Sequence, residues 1–170
     1  MDYNSNYSHG KQVNGSSGGS YKNTYGGQKE TPKKDLKKEL CIAAKLDSIG
    51  YVAQSERIMK HFGLEAKSSA ITATQIRNIL SLTNELYNMV IYNMNEKLSD
   101  EVVSHSQYVK MKIAYAAGRD SKTKKFVETS AIMTYLSSIP KSRSRKELVL
   151  ICHYMESLCA YHKYYIADNK

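Results

Sequence analysis

The stretch Thr72-Ala-Thr-Gln75-Ile76-Arg77-Asn-Ile-Leu80-Ser-Leu-Thr83-Asn-Glu-Leu-Tyr87-Asn-Met-Val90-Ile-Tyr-Asn-Met94 decides the fold. Thr72 and Gln75 stand at capping-box spacing, a hydroxyl that takes an orphan N–H and an amide that reaches back. Behind them Ile76, Leu80, Thr83, Tyr87, Val90 and Met94 recur at steps of four and three, the period of an amphipathic helix. Towards the C-terminus, Ser99-Asp100-Glu101 supplies a cap and two acids where a helix dipole favours them. Val102, Ser106, Val109, Ile113 and Ala116 then line one face up to Gly118. Phe126, Val127, Ser130, Met133 and Leu136 predict a shorter helix closed by Pro140. Ser144 with Glu147 opens the last helix through another capping-box spacing, with Leu148, Ile151, Met155, Leu158, His162 and Tyr165 as its buried stripe.

Towards the N-terminus, Val52, Ile58, Met59 and Phe62 place a helix over 51–62 that Gly63 stops, and 63–70 read as a loop. Thr31-Pro32 is a cap and first-turn pair, and Leu36, Leu40, Ala43 and then Ala44 or Leu46 predict a helix running to Gly50. Residues 1–30 are Asn, Ser, Gly, Tyr, Gln and Lys with Val13 as the only aliphatic residue after Met1, too little to offset ordering entropy. The expected organisation is a disordered low-complexity tail over 1–34 and a single helical domain over 35–170. No segment alternates at period two for long, so the fold class is all-α: a compact bundle of five to six helices.

The chain of 170 residues carries a formal charge of +9. The excess is local: 1–34 hold +3, 35–118 hold +1, 119–146 hold +6 and 147–170 hold −1. Arg119, Lys122, Lys124, Lys125, Lys141, Arg143, Arg145 and Lys146 face only Asp120 and Glu128 around two helix junctions. A solvated surface is the plain reading, and a phosphate-binding face the functional one. On the helix after Ser99, Tyr108, Lys112, Tyr115 and Arg119 recur at steps of four, three and four, interleaving aromatic and basic residues on one stripe. An ordinary boundary stripe competes with a nucleic-acid contact there.

Other chemistries find little support. Cys152 and Cys159 lie about 10.5 Å apart along a helix, whereas zinc takes sulfur at about 2.3 Å, so one ion cannot hold both. Cys159 and His162 alone make no site, and no metal or cofactor is expected. No phosphate loop or Gly-x-Ser-x-Gly occurs, and the acids are spread singly. The odd count of three cysteines does not suit a disulfide framework. No apolar run approaches a membrane span, and no signal segment opens the chain, so a soluble cytoplasmic protein is expected. A small helical enzyme using His61, His105 or His153 is one rival reading. A helical adaptor whose basic face meets an acidic protein without RNA is the other.

Three ordered blocks carry a resemblance: Ile-Thr-Ala-Thr-Gln-Ile-Arg-Asn-Ile-Leu-Ser-Leu-Thr from Ile71, Tyr-Ala-Ala-Gly-Arg-Asp from Tyr115, and Cys-His-Tyr-Met-Glu-Ser-Leu-Cys-Ala-Tyr-His-Lys-Tyr-Tyr from Cys152. Over about 50–165 the chain resembles the small subunit of the type III-A CRISPR effector, the Csm complex. The resemblance implies a non-catalytic protein that self-associates as the inner filament of a ribonucleoprotein, along guide RNA and its target RNA, with the backbone and large subunits as partners. It also implies roles facing RNA or a neighbouring subunit for Arg77, Arg119 and Lys163, with a buried ion pair as the competing role of Arg77. His153 stands where the family usually has arginine, and Gln75 where lysine is common. The tail and the helix before Gly50 have no counterpart in the resemblance.

Overall fold

A computed structural model describes residues 36–65 and 70–167, all within one compact unit, Lys33–Lys170. Among the described residues there are seven α-helices and no strand. They are α1 Leu36–Glu39, α2 Tyr51–Leu64, α3 Ala73–Val90, α4 Asp100–Arg119, α5 Ser121–Ser130, α6 Ile132–Ser142 and α7 Arg145–His162, and a π-turn over Lys163–Ala167 follows. The expected tail and the Thr31-Pro32 cap lie outside the described residues.

The strongest expectations rest on local chemistry and hold. Thr72 and Gln75 form a complete capping box at the start of α3. The Ser99 hydroxyl accepts from the Val102 N–H at 3.4 Å, and the Ser144 hydroxyl from the Glu147 N–H at 3.3 Å. At α7 only that half of the box forms, because the Glu147 carboxylate turns instead to Lys45 at 2.6 Å. Helix α7 packs against α2, α3 and α6, and α4 against α3, α5 and α6. Phe62, Ile79, Leu86, Ile113, Phe126, Leu136, Tyr154 and Leu158 fill the space between.

Three expectations are corrected. The helix expected up to Gly50 is one turn long, since α1 ends at Glu39 and Cys41 takes φ 50°. Partners from elsewhere outbid the local ladder: Ala43 N–H donates to Gln54 Oε1 at 3.0 Å, the Tyr135 hydroxyl to Ala43 O at 2.7 Å, and Arg57 Nε to Leu40 O at 3.2 Å. Gly50 is the N-cap residue of α2, with its N–H held by Asp47 Oδ2 at 2.7 Å.

The helix expected through 126–136 is broken in two by Ala131 in the left-handed region at φ 55°. The break releases the Ser130 carbonyl, which the buried Tyr154 hydroxyl donates to at 2.9 Å. Pro140 does not close α6, which runs on to Ser142. Proline leaves Leu136 O without its helical N–H donor, yet the chain keeps the helical course, and the Arg143 N–H donates to Ile139 O at 2.8 Å at its end. Smaller shifts follow the same logic: α4 runs through Gly118 to Arg119, and Met94 lies exposed beyond the end of α3.

One polar hub joins these pieces. Gln54 Nε2 donates to the hydroxyls of Tyr135 at 2.9 Å and Tyr154 at 3.1 Å, and those hydroxyls donate on to Ala43 O and Ser130 O. The two rings meet edge to face at 5.6 Å. Gln54, Tyr135 and Tyr154 are buried, and every polar atom that burial strips of water is repaid within the hub.

Candidate nucleic-acid interface

Helix α4 presents the aromatic and basic stripe outward. Its other face is anchored by buried Val102, Ser106, Val109 and Ile113, so Tyr108 and Tyr115 are forced into solvent at 45% and 66% exposure. Each ring carries the cation one turn on: Lys112 Nζ lies 4.6 Å from the Tyr108 centroid, and Arg119 Cζ lies 5.6 Å from that of Tyr115. His105 also neighbours Tyr108, with ring centroids 5.8 Å apart, and reaches Glu85 at 3.4 Å.

The α4–α5 junction turns on Asp120, whose Oδ1 accepts from the Thr123 N–H at 2.7 Å and the Thr123 hydroxyl at 2.9 Å. Those two bonds hold its carboxyl below the usual range, so it is an ionised cap. Helix α5, which carries Lys122 and Lys124 in its first turn, then packs back against α4. Buried Thr123, Phe126, Val127 and Ser130 fix the inner face of α5, and Lys124 lies outside. Lys112, Arg119, Lys122 and Lys124 make no salt bridge with any described residue.

The second junction behaves differently. Arg145 donates through Nε to Val90 O at 2.9 Å and through Nη2 to Ile91 O at 3.1 Å, capping the C-terminus of α3. Arg143 donates to Leu98 O at 3.1 Å and pairs with Asp100, and the Leu98 N–H donates to Arg143 O at 2.9 Å. Both guanidiniums thus clamp the 91–99 connection to the start of α7. Lys125 pairs with Glu65 and lies 5.6 Å from the Phe62 centroid, and Lys146 faces Glu96 loosely at 3.7 Å. The expected cations therefore divide: Lys112, Arg119, Lys122 and Lys124 make no salt bridge with any described residue, whereas Lys125, Arg143 and Arg145 each hold a carboxylate or backbone carbonyl of the chain.

The remaining sequence candidates lie apart. Arg77 is exposed on α3 without an ion pair among the described residues, which removes its competing buried role. Lys141 borders a mostly apolar cavity of about 440 Å³ walled by Leu46, Tyr135, Leu150 and Ile151, and Lys163 is exposed in the π-turn. Met111, 57% exposed between the two tyrosines, belongs to the same face, and the counting of aromatic and basic steps passed it over. Among the described residues no three His, Cys, Asp or Glu side chains could hold a metal ion. His162 Nε2 lies 2.7 Å from Ile71 O instead, and burial, helped by nearby Arg77, keeps its pKa below the ordinary value. No described helix is long and apolar enough to cross a membrane.

The sequence profile of Csm2 Type III-A matches residues 51–168, from the first residue of α2 to beyond the π-turn. The chain belongs to the type III-A Csm2 family. It is 35% identical over 122 residues to the CRISPR system Cms protein Csm2 of Mycobacterium tuberculosis, covering 71% of this chain and 94% of that one. Against the protein of the same description from Streptococcus thermophilus it is 33% identical over 116 residues, 68% of this chain and 90% of that one. The Enterococcus italicus protein of that description is 31% identical over 97 residues, 57% and 69% of the two chains. The family match starts at α2, so it leaves out the short α1 turn and the irregular stretch before Gly50.

Proposed function

We propose that the chain is a non-catalytic small subunit of a type III-A Csm ribonucleoprotein, acting in the cytoplasm in defence against foreign nucleic acid. It lies along the guide RNA and its paired target RNA, several copies side by side, against the backbone and large subunits. Membership of the Csm2 family supports the assembly. The observation that carries the RNA contact is the set Lys112, Arg119, Lys122 and Lys124, four cations that make no salt bridge with any described residue, two of them against exposed tyrosines. A protein on a guide–target duplex has no need to read bases, because pairing supplies the sequence and A-form shape supplies the register. Arg77, Lys141, Lys146 and Lys163 stand further out and serve as phosphate or subunit contacts. Lys125, Arg143 and Arg145, each of which already holds a partner within the chain, take a lesser share of the RNA contact in this proposal.

Four phosphate contacts give a logarithmic salt slope of about −3, at about 0.7 to 0.9 per contact. Charge reversal of Lys112, Arg119, Lys122 and Lys124 together is expected to remove most of that slope and of the affinity, with the helical circular dichroism unchanged. Wild-type affinity in this variant would refute the RNA contact. Co-purification with the other subunits that survives nuclease treatment and lacks guide RNA would favour the adaptor reading instead.

A further inference from the structure

Tyr108, Met111 and Tyr115 stand out of one face of α4 at 45%, 57% and 66% exposure, at helical steps of three and four. Contiguous apolar surface of this kind on a soluble bundle marks a contact. Along the helix itself, from Val102 to Arg119, there is no Asp or Glu, whereas Lys110, Lys112 and Arg119 are cationic. Exposed rings and cations on this face, with Glu85 held by His105 and Asp120 held by Thr123, complement a ligand with negative charge and exposed planar faces. An acidic peptide brings the charge without the planes, and a continuous duplex keeps its bases stacked inward, leaving the rings unused. Nucleotides outside a base-paired stack bring both.

The two rings are not equivalent. Tyr108 has His105 at 5.8 Å and Lys112 at 4.6 Å, so its ring already holds two neighbours. Among the described residues the ring or cation neighbour of Tyr115 is Arg119 alone, with Cζ 5.6 Å from the centroid. A planar base between ring and guanidinium needs about 7 Å, twice the van der Waals separation of roughly 3.5 Å. Arg119, exposed in the last turn of α4, would withdraw by about 1.4 Å. That exchanges one exposed cation–π contact for two stacking contacts.

We propose that Tyr115 and Arg119 form a stacking slot for one unpaired RNA base, separate from the phosphate contacts of Lys122 and Lys124. The slot rests on the RNA-binding reading above and adds to it a ligand class, a nucleotide outside a base-paired stack. The test uses the full chain and two RNA probes, a blunt duplex and the same duplex carrying one bulged 2-aminopurine. Tyr115→Ala is expected to weaken binding of the bulged probe between about fivefold and a hundredfold. It should abolish the change in 2-aminopurine fluorescence and leave the blunt duplex unaffected, whereas Tyr115→Phe keeps wild-type behaviour. Equal weakening of both probes, no weakening of either, or a persisting fluorescence change overturns the slot. A Tyr115→Ala chain that binds both probes normally but no longer joins other subunits also overturns it, and assigns the face to protein. Wild-type chain that binds neither probe refutes the RNA reading itself, so the two failures are distinguishable.

Discussion

Replacing Arg145 by Met keeps the aliphatic stem and removes the fork that donates to Val90 O at 2.9 Å and Ile91 O at 3.1 Å. Each bond from a charged donor is worth about 1.5–3 kcal/mol, and the cation also opposes the partial negative charge at the end of α3. Arg145 is only partly buried, so water recovers some of the loss at the freed carbonyls and the total is about 2.5 kcal/mol. For a helical domain of this size, at about 4 °C per kcal/mol, the melting temperature should fall by about 10 °C. Arg145→Lys should restore part of the loss, because a point charge reaches the carbonyls without the fork. Thermal melts by circular dichroism, with RNA titrations well below the midpoint, separate stability from affinity. Lys124→Met is the converse: an unchanged melt, weaker RNA binding and a salt slope smaller by about 0.7–0.9. An Arg145→Met protein that melts like the wild type but loses RNA affinity and one contact of slope would refute the clamp and return this guanidinium to the RNA face.

Tyr154→Phe leaves Ser130 O and one Gln54 N–H without partners in the core, so urea unfolding should show a loss of about 2 kcal/mol, and a loss below about 0.5 kcal/mol would deny the hub its role. The pKa of His162 is lowered by burial, so between its folded value and the ordinary 6.5 the unfolded chain binds more protons and stability falls as pH falls. The melting temperature should therefore be highest above pH 7 and decline towards pH 5, and His162→Gln should flatten that decline; an identical slope in both proteins would contradict it. Burial pushes the Cys152 thiol up to about 12, and its S–H donates to Thr83 O at 3.3 Å, whereas Cys41 is exposed. A thiol reagent should label Cys41 in the native protein and Cys152 only on unfolding.

Where the chemistry is local, the sequence was readable. Thr72 with Gln75, Ser99 and Ser144 each cap the helix they announce, and the 3.6-residue period behind them gave α3, α4 and α7 with ends displaced by only a few residues. Where a distant partner decides, reading failed. Leu36, Leu40 and Ala43 have helical spacing, yet hydrogen bonds with Gln54, Arg57 and Tyr135 draw residues 40–43 out of any helix. Ala131 carries no compositional sign of the left-handed conformation that splits α5 from α6, since glycine or asparagine usually marks such a position. Charge counting located both basic junctions but is blind to direction. Nothing in the run Lys141 to Lys146 says that two guanidiniums fold back onto the carbonyls of Val90, Ile91 and Leu98, or that Lys122 and Lys124 do not.

The Gln54 hub joins residues 43, 54, 130, 135 and 154, two of its links spanning 81 and 100 positions. No early portion of the chain can complete it, and any cut between α2 and α7 strands an amide on one side and a phenol on the other. Maturation therefore waits for the final helix, whose arrival locks the earlier ones in a single stroke. A chain without that helix keeps the Gln54 amide short of one acceptor and Ser130 O short of its donor.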